Sequence, residues 1–168
     1  MVEMVVEGVG TTLEGTGYVV TLREKGGHAR FPIAVGFAEA RAIKTALRRD
    51  PWPQPHDLIL ALLKNFDAVL TQVEIRTLAG GVCQAYLCIY WKGRWLEVGC
   101  RPSDGIALAL RSGCPIMAAE DVLAKAGWVL SCIGSARPAP PADDESLALF
   151  REFINSLNLD EPDRPARP

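Results

Sequence analysis

Hydrophobic and polar positions along the chain follow two periods in turn, and each change of period predicts an element. Runs rich in β-branched and aromatic residues predict strands over residues 2–9, 18–22 and 30–35. Gly8, Gly10, Gly15 and Gly17 mark turns, and Lys25-Gly26-Gly27-His28 reads as a hairpin connection. Pro32 cannot donate to a ladder, which places the third strand at an edge or at its own start. From Phe37 the period lengthens: Ala40, Ile43 and Leu47 share one helical face, and Arg41, Lys44 and Arg48 the other. The prolines of Asp50-Pro51-Trp52-Pro53-Gln54-Pro55 end that helix. His56-Asp57 opens a second helix over residues 58–65, apolar almost all round.

The second half repeats this order. Strands are expected over 68–78, 82–91 and 94–98, with turns at Gly80-Gly81 and Lys92-Gly93. A helix follows over 102–111, with proline at its first position and Gly113 as its stop. Residues 115–118 read as a short extended piece and 121–126 as a short helix. At an offset of 65, Glu39 falls over Asp104, Ala42 over Ala107 and Ile43 over Leu108; at an offset of 64, Asp57 falls over Asp121 and Leu58 over Val122. The expected fold is α+β: two β-β-β-α-α halves in one domain over 1–133, a mixed sheet flanked by helices. A proline-rich linker over 134–145 leads to an amphipathic helix over 146–157, where Leu147, Phe150, Ile154 and Leu157 share a face. The tail over 158–168 is expected to be disordered.

Composition narrows the classes. The 168 residues are 49% hydrophobic and 23% charged, with a formal net charge of -2, which excludes a disordered chain and a strongly basic nucleic-acid binder. The mean hydropathy of +0.12 points to apolar surface covered by a partner subunit. No apolar run approaches the ~18 residues of a membrane span, and the start, Met1-Val2-Glu3-Met4, lacks the pattern of a signal peptide. The expected location is the cytoplasm. Cys83, Cys88, Cys100, Cys114 and Cys132 are odd in number and form no C-x-x-C, so buried free thiols are expected. Trp52, Trp91, Trp95 and Trp128 read as core or subunit-contact residues.

Three segments carry candidate chemistry. Arg101-Pro102-Ser103-Asp104 puts a cation, a hydroxyl and a carboxylate at a strand-to-helix junction, where free N–H groups and the helix dipole suit a phosphate. Arg101 suits a phosphate clamp, and Asp104 a metal ligand or a water-orienting group. The plainer alternative is that Asp104 satisfies the helix start and Arg101 pairs with it. His56 suits a general base or metal ligand with Asp57 beside it; alternatively Asp57 caps the helix and His56 lies on the surface. Glu39 opens the first helix, either as a helix-start carboxylate or as a second acid of a site. The stripe Arg41, Lys44 and Arg48 either tracks phosphates or is a solvated face.

Together these segments resemble the bacterial and plant bifunctional nuclease domain family. Arg30-Phe31-Pro32-Ile33-Ala34-Val35-Gly36 with Glu39-Ala40 is similar to its R-x-L-P-I-x-I-G-x-x-E-A stretch, and Pro53 with His56-Asp57-Leu58 to its P-x-T-H-D-L stretch. Arg101-Pro102-Ser103-Asp104 with Ala107-Leu108-Ala109-Leu110-Arg111 is similar to R-P-S-D-A-x-A-L-A-x-R, and Pro115-Ile116, Glu120 and Val122-Leu123 to the closing P-I-x-x-x-E-x-V-L. The resemblance spans roughly residues 1–130. It implies cleavage of DNA and RNA, an α+β fold, and a homodimer or higher homo-oligomer. On this footing Asp104, His56, Asp57 and Glu39 are the expected catalytic residues. Arg101, Ser103, Arg30, Arg41, Lys44 and Arg48 are expected to bind substrate. Divalent-metal assistance by Mg2+ or Mn2+ is expected, with no ligand assigned. Two positions depart from the family: its threonine before His-Asp is Pro55, and an acid before R-P-S-D is Gly99. Were that acid a metal ligand, its loss would weaken the nuclease. The rival expectation is a non-enzymatic oligomeric interaction module in which R-P-S-D is architectural. The net charge fits nucleic acid only if positive charge is local and the acids gather between Asp143 and Asp163, which predicts weak and strongly salt-dependent binding.

Overall fold

The computed structural model describes residues 1–12, 17–77 and 83–123. The chain divides into two units, Met1–Ala136 and Arg137–Pro168, and every described residue belongs to the first. The expected linker, C-terminal helix and tail therefore lie outside the described residues. So do Gly15, the Gly80-Gly81 turn, Trp128 and Cys132.

The elements, in chain order, are β1 (Val2–Thr11), β2 (Tyr18–Glu24), β3 (Arg30–Val35), α1 (Phe37–Arg48), α2 (Pro55–Asn65), β4 (Ala68–Thr77), β5 (Cys83–Trp91), β6 (Arg94–Cys100), α3 (Pro102–Ser112) and β7 (Ile116–Ala118). A further helical turn begins at Glu120. The fold is α+β, built on one open seven-stranded sheet in the order β3-β2-β1-β7-β4-β5-β6. Each half contributes an antiparallel three-strand meander, β1-β2-β3 and β4-β5-β6. The expected repeat is present, and β7 joins its halves: three residues pair antiparallel to β1 and parallel to β4. Pro32 does sit on an edge strand, where its missing donor costs no ladder bond.

Helices α1 and α3 pack against each other, α1 over β1 and β2 and α3 over β4 and β5; α2 packs against α3 and β4. Their shared core includes Val20, Leu22, Ile43, Val73, Ile75, Ile106 and Leu108, all essentially without exposure. Gly105 lets α3 approach the sheet closely. A Cβ there would lie 2.7 Å from Val73 Cγ1 and 3.2 Å from Ala85 Cβ. Since side chains alternate across a strand, the residues beside Val73 and Ala85 face away from the helices. That helix-free face carries Gln72, Glu74, Arg76, Tyr86 and Glu97, with Arg76 bonded to both Glu74 and Glu97 and stacked over the Tyr86 ring.

None of the three described tryptophans is a core residue. Trp52 and Trp95 are exposed, and half-buried Trp91 donates its Nε1–H to the Phe66 carbonyl at 2.9 Å. Cys88, Cys100 and Cys114 carry free thiols, Cys88 buried and the other two half-buried. Among the described residues no helix is long and apolar enough to cross a membrane.

Candidate active site

Helices α1, α2 and α3 each carry an acid at their third residue: Glu39, Asp57 and Asp104. Such acids favour the positive end of the helix dipole, yet the three meet different fates. Asp57 closes a capping box. Its Oδ2 accepts the Gln54 backbone N–H at 2.7 Å, while its Oδ1 lies 3.2 Å from Arg111 Nε. Glu39 and Asp104 turn instead toward Arg101, the residue that precedes α3.

Arg101 holds both acids. Its Nε donates to Asp104 Oδ2 at 2.8 Å and its Nη2 to Asp104 Oδ1 at 3.0 Å, a fork on one carboxylate. Its Nη1 donates to Glu39 Oε1 at 2.8 Å. Among the described residues these bonds use three of the five guanidinium N–H groups, and the Arg101 side chain is 65% exposed. Two donors are thus left toward solvent. His56, the second residue of α2, places Nε2 3.6 Å from Asp104 Oδ1. Its side chain is only 13% exposed, and its buried Nδ1 has no hydrogen-bond partner among the described residues. An Nε2–H directed at Asp104 leaves Nδ1 as a bare lone pair, the less costly tautomer.

Electrostatics follow from these contacts. Hydrogen bonds from Arg101 hold the Asp104 carboxyl below its ordinary value of 3.8, against burial, which pushes it up; His56 adds a smaller lowering. The Arg101 guanidinium is raised by Asp104 first and Glu39 second, so it stays charged. Beneath the cluster, burial and then the Asp104 charge push the Cys100 thiol up to about 11.

Backbone geometry makes room for this grouping. Gly36 precedes α1, and a Cβ there would lie 2.5 Å from Glu39 Oε2. Arg111 ties the helices together from within. Its Nη2 donates to the Ala42 carbonyl at 3.0 Å and to Thr45 Oγ1 at 3.1 Å, its Nη1 to the Ala107 carbonyl at 3.0 Å, and its side chain is 8% exposed. The motif comparison included Arg111, but its role was not legible there, because two of its partners are backbone carbonyls.

Four of the expected residues therefore come together: Arg101, Asp104, Glu39 and His56. Asp57 caps its helix and braces Arg111. Ser103 is buried and joins none of these bonds. Arg30 donates to Glu7 on β1 through Nε and Nη2 and takes no part in the cluster. Arg41 and Arg48 are exposed and Lys44 half-buried along the outer side of α1.

Neither departure from the family pattern disrupts the cluster. Pro55 is the first residue of α2, where a missing N–H costs nothing. A Cβ on Gly99 would meet Gln84 Nε2 at 2.7 Å and Tyr86 at 3.9 Å, on the helix-free face. An acid there would point away from Asp104. A divalent cation does not fit the cluster as arranged, because the guanidinium holds the place between Asp104 and Glu39. Among the described residues the one set of three metal-type ligand atoms within 4.8 Å of one another belongs to Glu74, Cys88 and Glu97. Arg76 already bonds both of those carboxylates.

Two relatives in Mycobacterium tuberculosis, the uncharacterized proteins MT1877 and Rv1829 from two strains, are each 34% identical to this chain over 145 residues. The alignment covers 85% of this chain and 87% of each relative. A family model described as the bifunctional nuclease domain matches residues 20–131. That match contains all three helix starts that build the cluster, and the chain belongs to the bifunctional nuclease domain family.

Proposed function

We propose that this protein hydrolyses phosphodiester bonds of DNA and RNA at the Arg101, Asp104, His56 and Glu39 cluster. The supporting observation is the convergence of these four side chains from three separate helix starts, with the Arg101 fork partly open to solvent. A phosphate accepts the two open N–H groups of Arg101 and competes with both carboxylates for its charge. As Arg101 turns to the phosphate, Asp104 loses the partner that holds its carboxyl low, and its basicity rises. Asp104 then takes a proton from a water whose oxygen attacks phosphorus, while the leaving oxygen takes a proton from solvent. His56 positions Asp104 from behind, and Glu39 draws Arg101 back when product leaves. The stripe of Arg41, Lys44 and Arg48 supplies phosphate contacts further along a strand.

The test is incubation of purified protein with single-stranded DNA and RNA, with Mg2+, with Mn2+ and with a chelator, beside Asp104→Ala. Cleavage that falls at least ~100-fold in the variant supports the assignment. Equal cleavage by both proteins identifies a contaminant and removes Asp104 from the site.

A second reading is favoured by the Arg101–Glu39 bond, which joins α1 to α3 across 62 residues of sequence. In it the cluster is an architectural lock of an interaction module, and Asp104→Ala lowers the melting temperature or disrupts assembly without any activity to lose.

We also infer a homo-oligomer, with a dimer as its simplest form. Helix α2 buries none of its residues, and Leu58, Ile59 and Leu62 stay exposed on it; the edge strand β6 exposes Trp95, Leu96 and Val98. Light scattering at micromolar concentration should give at least twice the 18.2 kDa chain mass, and Leu62→Glu should lower it.

A further inference from the structure

On the outer side of α1 lies a cleft of about 290 Å3 lined by Tyr18, Phe37, Arg41, Lys44, Arg48 and Asp50. Its floor is aromatic. The Phe37 and Tyr18 rings sit 5.8 Å apart at 55°, and Lys44 Nζ lies 5.4 Å over the Tyr18 ring. Phe37 is 65% exposed although it is the first residue of a helix whose inner face is buried core. Three cations face one acid across this cleft. Elsewhere among the described residues, exposed aromatics such as Tyr90 and Trp95 pack on each other on the helix-free face, and neither lines this cleft.

We propose that this cleft is a stacking subsite for one nucleobase of a single-stranded nucleic acid. The inference rests on the hydrolase reading and adds to it a preference for unpaired strands. An exposed ring offers a π-face that any base can cover, and cations around it take the flanking phosphates. The volume is near the lower end of the range for small-molecule pockets, which suits a single base rather than a duplex. Phe37, Arg41, Lys44 and Arg48 recur at helical spacing along one face of α1, so a base on Phe37 has its flanking phosphates beside these cations. Glu39, two residues on, bonds Arg101 from another side of the same turn. In a duplex that base is paired and stacked, and its face is not available to Phe37.

The experiment is fluorescence anisotropy of the full chain with an end-labelled oligothymidylate carrying uncleavable phosphate linkages, and with a labelled duplex of matched charge. Phe37→Ala should weaken oligothymidylate binding roughly tenfold and leave the duplex affinity unchanged, while Phe37→Trp retains wild-type binding. Lys44→Glu should weaken binding and reduce the salt slope by about 1. Trp95→Ala, an exposed aromatic outside the cleft, should change nothing. Unchanged oligothymidylate binding by Phe37→Ala overturns the subsite, as does an equal loss for strand and duplex, or a loss matched by Trp95→Ala. Binding that depends on Phe37 with no cleavage of any substrate keeps the subsite and removes the hydrolase. Cleavage without dependence on Phe37 does the reverse.

Discussion

Arg101 and Arg111 sit ten residues apart, just before α3 and near its end, and do opposite work. Arg101 is largely exposed, binds two acids through three donors and keeps two donors open. Arg111 is buried and spends its donors on α1, α3 and Asp57. Arg111→Met leaves two carbonyls, a hydroxyl and a carboxylate without their cation, and should cost about 2–4 kcal/mol in a denaturant titration. Asp104 gives a pH-dependent counterpart. Its folded pKa lies below its ordinary value of 3.8, so its ion pair stabilises the fold at any pH above that value. The contribution is lost as pH falls through the folded value. Melting temperatures of wild type and Asp104→Asn should therefore differ near neutral pH and converge in strong acid. Cys100 works at the other end of the scale. Its thiol is raised from 9.0 to about 11, so stability is undiminished below the lower value and falls as pH climbs toward the upper one. Labelling by iodoacetamide at neutral pH should be slow in native protein and rapid after unfolding. The sequence identified the four clustered residues because each opens a helix after a strand or proline signal. It placed Asp57 beside His56 in function, yet adjacent helical residues point apart, and only His56 faces Asp104.

At the level of elements, most strands and helices were legible from period alone, since alternation and helical spacing are local properties. The three-residue β7 was visible only as a short extended piece. Its place at the centre of the sheet depends on pairing with β1, at the far end of the described chain, and with β4, in its middle. No local pattern encodes that. The close approach of α3 was likewise hidden in Gly105, which in a helical pattern reads as a weakness. Gly105→Ala gains helix propensity but drives a Cβ against Val73, a side chain stiff at χ1. The clash should win by about 1–2 kcal/mol, seen as a lower melting temperature. Gly36→Ala tests the other close approach: it should displace Glu39 from Arg101 with little loss of stability and a measurable loss of cleavage.

Across the whole molecule, a net charge of -2 conceals a local arrangement. Positive side chains gather on the outer side of α1, where Asp50 is the acid among them, and Arg101 at the start of α3 is held by Asp104 and Glu39. If nucleic acid docks on such a surface it meets few phosphates, which predicts modest affinity and, in place of the strong salt dependence expected from the sequence, a shallow salt slope. Helix α2 and the open edge β6 leave apolar side chains exposed, in keeping with the positive mean hydropathy, and among the described residues no helix is long and apolar enough to cross a membrane. Membership of the bifunctional nuclease domain family and the geometry of the three helix starts meet at one residue, Asp104. The decisive measurement is the single-turnover cleavage rate of single-stranded RNA by wild type and Asp104→Asn, each with its melting curve. The account predicts a rate at least ~100-fold lower in the variant with the fold retained. An unchanged rate, or a variant that loses its fold while the wild type cleaves nothing, would contradict it.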